Sequence, residues 1–196
     1  MSVRPPLELS VILAAGGGRR MGRAKGLLPL QGMPLLTGHI EALAAHFKRT
    51  VVVLGADHME HRAILPPHVL VVHNPAWAET WPADSLQLAL RAHITHGPVL
   101  ITPVDTPPVR PQTLERLLLT EAPCVPCGPS GRPGHPILLH AEGVARLRRS
   151  VPVGGLRTLL GEATAVRVDD PWVHANFNRP ADWHAWTEAM GYTASG

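Results

Sequence analysis

The sequence predicts an α/β fold in which a mostly parallel sheet carries helices on both faces. Two observations carry this. Short runs rich in Val, Ile and Leu recur at LSVIL (9–13), TVVVL (50–54), VLVV (69–72), VLIT (99–102), ILL (137–139) and TAVRV (164–168), with helix-period segments between them. The runs are continuously apolar rather than alternating, as in strands buried on both faces. Strand–helix alternation of this kind gives a doubly wound, Rossmann-like sheet.

Each helix has its own signal. In PLLTGHIEALAAHF the apolar Leu36, Ile40, Leu43 and Phe47 fall four, three and four apart, one face of a helix. DSLQLALRAH, PQTLERLLL and AEGVARLRR repeat the pattern, and Pro111 suits a first turn. LRTLLGE follows the Gly154–Gly155 pair, and the last helix opens at Pro180 with Trp183, Trp186 and Met190 on one face. APCVPCGPSGRPGHP (122–136) interrupts the alternation and reads as a short strand end followed by a loop over one end of the sheet. No linker or repeat divides the chain, so residues 1–196 read as one domain.

Composition excludes several classes. The chain has 196 residues, 45% hydrophobic and 17% charged, with a formal net charge of +3. A chain of this length buries roughly 70% of its unfolded surface, enough to fold without disulfide or metal. No stretch approaches the roughly 18 apolar residues of a membrane span. Pro5, Pro6 and Glu8 interrupt any leader, so a cytoplasmic protein is expected. The basic excess is mild and forms no long stripe, and aromatic residues are only 4%, so nucleic acid is not an expected partner.

In a doubly wound sheet, ligands bind outside the carboxyl ends of the strands. The first such end carries AAGGGRRMGRAK. Gly16, Gly17 and Gly18 let backbone N–H groups approach an anion, and Arg19, Arg20, Arg23 and Lys25 add charge. The target is a polyphosphate. Neither familiar fingerprint fits: Met21 stands where G-x-G-x-x-G needs its third glycine, and Arg23 where a P-loop needs lysine. The fourth run ends in PVDTPPV, which puts Asp105 at the strand mouth between stiffening prolines. A carboxylate there either faces a cation such as Mg²⁺, which takes few protein ligands plus phosphate oxygens, or caps its own turn.

LAAGGGRRMGRAKGLLPLQGMPLL resembles the opening signature of the MobA-like nucleotidyltransferases, roughly L-A-A-G-x-S-x-R-M-G-x-x-K, with Leu13, Ala14, Ala15, Gly16, Arg20, Met21, Gly22 and Lys25 in register. Gly18 stands where the family often has Ser. NPAWAETWPADSLQLAL, PVDTPPV, GRPGHPILL and NFNRPADW resemble later family segments in the same order, over about residues 8 to 188. The resemblance implies Mg²⁺-dependent transfer of a nucleoside monophosphate from an NTP to a phosphorylated acceptor, with release of pyrophosphate. It implies a nucleotide site at Leu13, Ala14, Ala15, Gly16, Gly17, Gly18, Arg20, Lys25, Ser85 and Asp105. Arg20, Lys25 and Asp105 would be catalytic, and Asp105 and Asn178 would hold the metal. Gly134, His135 and Asn176 would face the acceptor, although Asn176 equally suits a residue alternating away from it. Ala15 narrows the base pocket and favours CTP, with molybdopterin the favoured acceptor and a molybdoenzyme or its chaperone a candidate recipient. VDTP and the Asn-x-Asn ending lean instead to a GTP-using enzyme. A sugar-phosphate nucleotidyltransferase and a non-catalytic nucleotide-binding module are the remaining alternatives.

Other features have plainer readings. Cys124 and Cys127 read as incidental thiols rather than a redox pair. His58 with His61 and His93 with His96 could share a metal on a helix, but no third ligand is near in sequence and surface or part-buried histidines are expected. His174 reads as a strand residue or a site neighbour. Trp172, Trp183 and Trp186 read as packing residues. Gly154–Gly155 reads equally as an anion-binding helix start or a bare junction.

Overall fold

The computed structural model describes residues 6–160 and 163–192. The opening residues weighed above, Pro5 among them, and Gly161 and Glu162 of LRTLLGE lie outside the described residues. The chain runs β1 (Leu7–Ala14), a single 3-10 turn (Lys25–Leu27), a hairpin of β2 (Pro29–Leu30) and β3 (Met33–Pro34), α1 (Leu35–Ala44), β4 (Phe47–Leu54), α2 (His58–Ala63), β5 (Leu70–His73) and α3 (Pro82–Ala92). It continues through β6 (Val99–Pro103), α4 (Pro111–Leu119), β7 (Cys124–Cys127), β8 (Ile137–Leu139), α5 (Ala141–Arg149), α6 (Leu156–Leu160), β9 (Thr164–Arg167) and α7 (Pro180–Ala189).

The main sheet has the order β5-β4-β1-β6-β8-β7-β9. Strand β1 pairs in parallel with β4 on one side and β6 on the other. The chain therefore leaves β1 in one direction, returns, and continues in the other. The crevice at the carboxyl ends of β1 and β6 is the switch point where such sheets bind ligands. Only β8 runs against its neighbours, antiparallel to both β6 and β7.

Period-two alternation divides β1 between two cores. Leu9 and Val11 join Leu86, Leu90, Val144 and Leu147 of α3 and α5. Ile12 and Ala14 join Leu36, Ile40, Leu114 and Leu117 of α1 and α4 on the opposite face. The helices thus cover both faces, as the sequence predicts. A third cluster seats Met21, Leu28, Leu30 and Leu35 against Phe177, Trp183 and Trp186, which fastens the glycine loop to α7.

Two expectations need correction. The stretch 122–136 is not all loop: Cys124–Cys127 is a strand of the main sheet, paired with β8 and β9. Its prolines hid it, yet Pro126 occupies a ladder position while donating nothing, and the loop proper begins at Gly128. Phe47 does not extend α1. It opens β4, where the β-branched run that follows favours extended backbone, and its ring still packs with Leu36, Ile40 and Leu43.

Helices α3 and α5 close each other's carboxyl ends. Arg148 donates to the carbonyls of Leu90 and Thr95 at 3.0 and 2.7 Å, while Arg91 donates to those of Arg148 and Arg149 at 2.9 and 3.2 Å. Terminal carbonyls lack helical partners and favour cations. Arg148→Ala should cost about 1–2 kcal/mol, because two charge-assisted bonds to backbone are lost at a part-exposed position. Thermal unfolding checks this, with a fall in Tm on the order of 4 °C expected.

Candidate active site

Three distant segments meet at one nitrogen. Lys25 Nζ donates to Asp105 Oδ2 at 2.7 Å and to Asn178 Oδ1 at 3.0 Å. Arg20 Nη2 also reaches Asn178 Oδ1, at 3.3 Å. The sequence predicts all four as site residues, and the fold brings them together from the glycine loop, the end of β6 and the entry to α7.

Backbone bonding fixes each contributor. The amide of Val104 donates to Leu13 O at 2.9 Å, which carries the β1–β6 ladder to the edge of the site. The Asp105 carbonyl accepts from the Phe177 amide at 2.6 Å, tying the β6 loop to the NFN segment. Asp182 Oδ2 accepts from the amides of Asn178 and Arg179 at 3.0 and 2.8 Å, a cap at the start of α7 that also orients Asn178. Met21 points away from Arg20 into the α7 cluster and anchors the other side.

The glycine loop is shaped by close approaches. At Gly17 a Cβ would meet the Trp77 ring at 2.8 Å, and at Gly55 the Trp77 Cβ at 2.6 Å and its ring Cγ at 2.8 Å, so Trp77 is wedged between two bare backbones. Gly18 has φ +54 and a Cβ there would collide with the carbonyl oxygen of Arg23. Glycine at the position where relatives often carry Ser is thus matched to this loop's own path. At Gly16 a Cβ would meet nothing within 4 Å, and that residue faces a cavity.

This cavity, about 270 Å³, is lined by Leu13, Ala15, Gly16, Gly18, Lys25 and Ser85 together with Trp77, Trp81 and Asp105. Ala14 and Gly17, grouped with them by resemblance, face elsewhere: Ala14 into the α1–α4 core and Gly17 onto Trp77. Ser85 is buried and held by Asn74, whose Nδ2 donates to Ser85 Oγ and Thr80 Oγ1 at 2.9 Å each. The Ser85 hydroxyl hydrogen is therefore left to donate. A larger cavity of about 900 Å³ adjoins, sharing Leu13, Trp81, Pro82, Pro103 and Asp105 with the first. His135, Asn176, Gly154 and Gly155 line it. Gly134 does not: a Cβ there would collide with the Val173 carbonyl, so its bareness serves backbone packing.

Asp105 and Asn178 offer two oxygens converging on one cation, the hard donor set that Mg²⁺ or Mn²⁺ accepts. Lys25 Nζ bonds both oxygens and so occupies the point between them. Among the described residues no group of three His, Cys, Asp or Glu could hold a metal. A divalent ion would thus need ligand oxygens to complete its shell, as phosphate-bound Mg²⁺ does. The histidine pairs follow suit: His61 is buried against Gly26, His58 stacks on His73 with centroids 4.3 Å apart, and His93 and His96 lie beyond the end of α3. Cys124 and Cys127 are both free and three apart on a strand, which puts them on opposite faces. Burial pushes the Cys124 thiol up to about 11, as an inert thiol requires. Trp183 and Trp186 are buried in the α7 cluster, Trp172 packs against it, and the helix after Gly154–Gly155 is only five residues long.

The sequence reading missed Asn74, Trp77, Trp81 and His39. The first two lie in the NPAWAETWPADSLQLAL segment, whose resemblance points to Ser85 alone, and their roles appear only once β5 and the glycine loop are adjacent. His39 on α1 is buried and its Nε2 contacts Thr106 O at 3.0 Å, holding the loop that carries Asp105. Burial lowers its pKa to about 4, so it is neutral and its Nε2–H donates. Its period-four place in α1 marked it as core facing, but nothing marked its partner. Because the folded pKa lies below the unfolded value of 6.5, the unfolded chain binds the extra proton between them. The contribution is full above pH 6.5 and is lost as pH falls towards 4. Denaturant titrations should show a loss on the order of 3 kcal/mol over that window, at about 1.4 kcal/mol per pH unit. His39→Gln should flatten that slope.

Comparison with known proteins agrees with this geometry. Residues 10–168 match the model of the MobA-like NTP transferase domain. The chain is 29% identical over 197 residues to a probable molybdenum cofactor guanylyltransferase of Methanothermobacter thermautotrophicus, covering 90% of this chain and 97% of that protein. It is 24% identical over 185 residues to the molybdenum cofactor cytidylyltransferase of Escherichia coli, covering 88% and 92%. It is 36% identical over 122 residues to the nicotine blue oxidoreductase of Paenarthrobacter nicotinovorans, over 60% of this chain, and spans only 59% of that relative's length. Among solved structures, Rv0371c of Mycobacterium tuberculosis in complex with manganese superposes with a TM-score of 0.73 at 25% identity, covering 93% of this chain and 99% of that one. With a parallel switch-point sheet, a glycine-basic loop on β1 and an oxygen pair at its mouth, the chain belongs to the MobA-like NTP transferase family.

Proposed function

We propose that this protein moves a nucleoside monophosphate from an NTP, CTP by preference, to a phosphorylated acceptor, molybdopterin by preference, and releases pyrophosphate. The observation that carries this is the convergence of Asp105 and Asn178 on Lys25, with Asp105 lining both cavities and Lys25 the smaller. The smaller cavity suits the nucleotide and the larger the acceptor. Ala15 puts a methyl group into the smaller one, which favours a pyrimidine. Relatives named as cytidylyl and as guanylyl transferases both exist, and the choice of base is what the screen below separates.

The chemistry needs positioning more than proton transfer. An acceptor phosphate oxygen, already ionised at neutral pH, attacks the α-phosphorus. The bond from that phosphorus to the bridging oxygen breaks, and pyrophosphate leaves with the electron pair. A divalent cation on Asp105 and Asn178, Mg²⁺ in this proposal and manganese in the Rv0371c complex, would supply positive charge at the α-phosphate. Lys25 and Arg20, released from Asn178, move onto the leaving group with the amides of the glycine loop. Ser85 donates its hydroxyl to the base. No described helix is long and apolar enough to cross a membrane, and the free thiols fit a reducing compartment such as the cytoplasm.

The oxidoreductase name of one relative finds no echo in the loop: the residue where a dinucleotide fingerprint needs glycine is Met21, buried under α7. A non-catalytic module would retain nucleotide affinity without turnover.

A pyrophosphate-release screen of CTP, GTP, ATP and UTP against molybdopterin and several sugar phosphates tests the proposal. Release with CTP and molybdopterin is expected, and release with GTP alone would overturn the base assignment. Asp105→Ala should lower kcat roughly 10²–10³-fold while nucleotide still binds. Lys25→Met should act in opposite directions in two assays. Turnover should fall by a similar factor, yet calorimetry should show Mn²⁺ binding roughly 10- to 100-fold tighter without nucleotide, because a charge-assisted bond worth about 1.5–3 kcal/mol no longer competes for Asp105. Unchanged Mn²⁺ affinity would mean the ammonium does not occupy the metal position.

A further inference from the structure

We infer that Trp81 is a specificity-determining residue, whose indole stacks on a flat, fused heteroaromatic ring of the acceptor and selects such acceptors over sugar phosphates. The inference rests on the assignment of the larger cavity to the acceptor.

Trp81 is 78% exposed, while Trp183 and Trp186 are buried and Trp77 is wedged between Gly17 and Gly55. An indole left in water is costly unless something covers it, since burying such a ring is worth several kcal/mol by area. No ring of the described residues stacks on it, but its backbone is rigid. Its amide donates to Asp84 Oδ2 at 2.8 Å, and its carbonyl accepts from the amides of Asp84 and Ser85 at 3.0 and 3.3 Å. Pro82 fixes the next φ. A firmly held backbone thus presents a ring with an open face, which is the low-entropy arrangement for stacking a ligand.

The ring lines both cavities. Thr80 and Ser85 flank it in the smaller cavity and Ala83 and Asp84 in the larger, so the choice falls to the other walls. The smaller cavity already has the Trp77 indole. Ile101, Ile137, Val151 and Leu156 also line the larger, whose polar side chains are Asp84, Asp105, His135 and Asn176, and the Asp84 carboxylate already accepts from the Trp81 amide. Aliphatic walls cannot satisfy the hydroxyl groups of a sugar, which would lose water without replacement. A broad ring with a single anionic arm suits them: the ring lies between Trp81 and the aliphatic wall, and the phosphate points to Asp105 and its cation. At about 900 Å³ the cavity has room for a fused ring system.

The test compares wild type with Trp81→Ala and Trp81→Phe, using a phosphorylated pterin as the flat probe and glucose 1-phosphate as the control without an aromatic ring. Equilibrium binding, pyrophosphate release and acrylamide quenching of indole emission are measured together. Trp81→Ala should weaken pterin binding roughly 10-fold or more, as loss of one stacked base does elsewhere, and leave CTP and glucose 1-phosphate affinities within about twofold. Trp81→Phe should restore most of the pterin affinity. Pterin should shield wild-type emission from acrylamide, and the shielded component should vanish in both variants. Weakened CTP binding with unchanged pterin binding would move the ring to the nucleobase and overturn the inference. Equal loss for pterin and sugar phosphate, unrelieved by Phe, would reduce Trp81 to a structural role and overturn it as well. If no acceptor supports pyrophosphate release while the shielding persists, the transferase proposal falls, acceptor selection by Trp81 falls with it, and only the stacking contact itself stands.

Discussion

One ammonium group binds the architecture together. Lys25 Nζ holds Asp105 from the end of β6 and Asn178 from the entry to α7, residues 80 and 153 positions away in the chain. Removing it leaves a part-buried carboxylate and an amide oxygen facing each other with no cation between them. Such a pair repels unless a proton, a metal or another cation fills the gap. In the proposed reaction the site therefore contains positive charge at every stage. In this account Lys25 fills it before the nucleotide arrives and follows the phosphates afterwards.

The sheet supplies the frame for that exchange. Parallel pairing of β1 with β4 and β6 aligns their carboxyl ends, so the glycine loop and Asp105 emerge side by side. The α7 cluster then brings the third partner, because Met21 and Phe177 pack in one aromatic group while the Phe177 amide bonds the Asp105 carbonyl. Rings of Phe177, Trp183 and Trp186 lie 5.0–5.3 Å apart, which makes this contact stiff. His39 holds the same loop from the opposite side. Backbone placement of Asp105 is thus determined from three directions, and what remains free is the set of side-chain tips that a substrate must meet.

Much of this was legible in the sequence for local reasons. Continuous Val/Ile/Leu runs marked every strand flanking the site, and the glycine-basic loop and Asp105 stood at strand mouths where such sheets bind ligands. What was hidden depends on tertiary pairing. CVPC reads only as a short strand end because proline lacks a donor, but β7 is a full member of the sheet that tolerates Pro126 where no bond is needed from it. Asn74 and Trp77 look like ordinary loop residues until they are seen against Ser85 and Gly17. Gly134 looked like a ligand-contact glycine, whereas the Val173 backbone occupies the space its side chain would need. Residue type reported the chemistry available, and only packing reported which face of each residue was open.

The central claim is that Asp105 and Asn178 bring a divalent cation and a triphosphate together at one point. Electron–nuclear double resonance of Mn²⁺ bound with CTP tests this most directly. The wild-type complex should show hyperfine coupling to phosphorus, and Asp105→Ala and Asn178→Ala should each weaken or abolish it. The same phosphorus coupling in both variants would mean that the metal travels with the nucleotide alone, and the arrangement described for this site would be wrong.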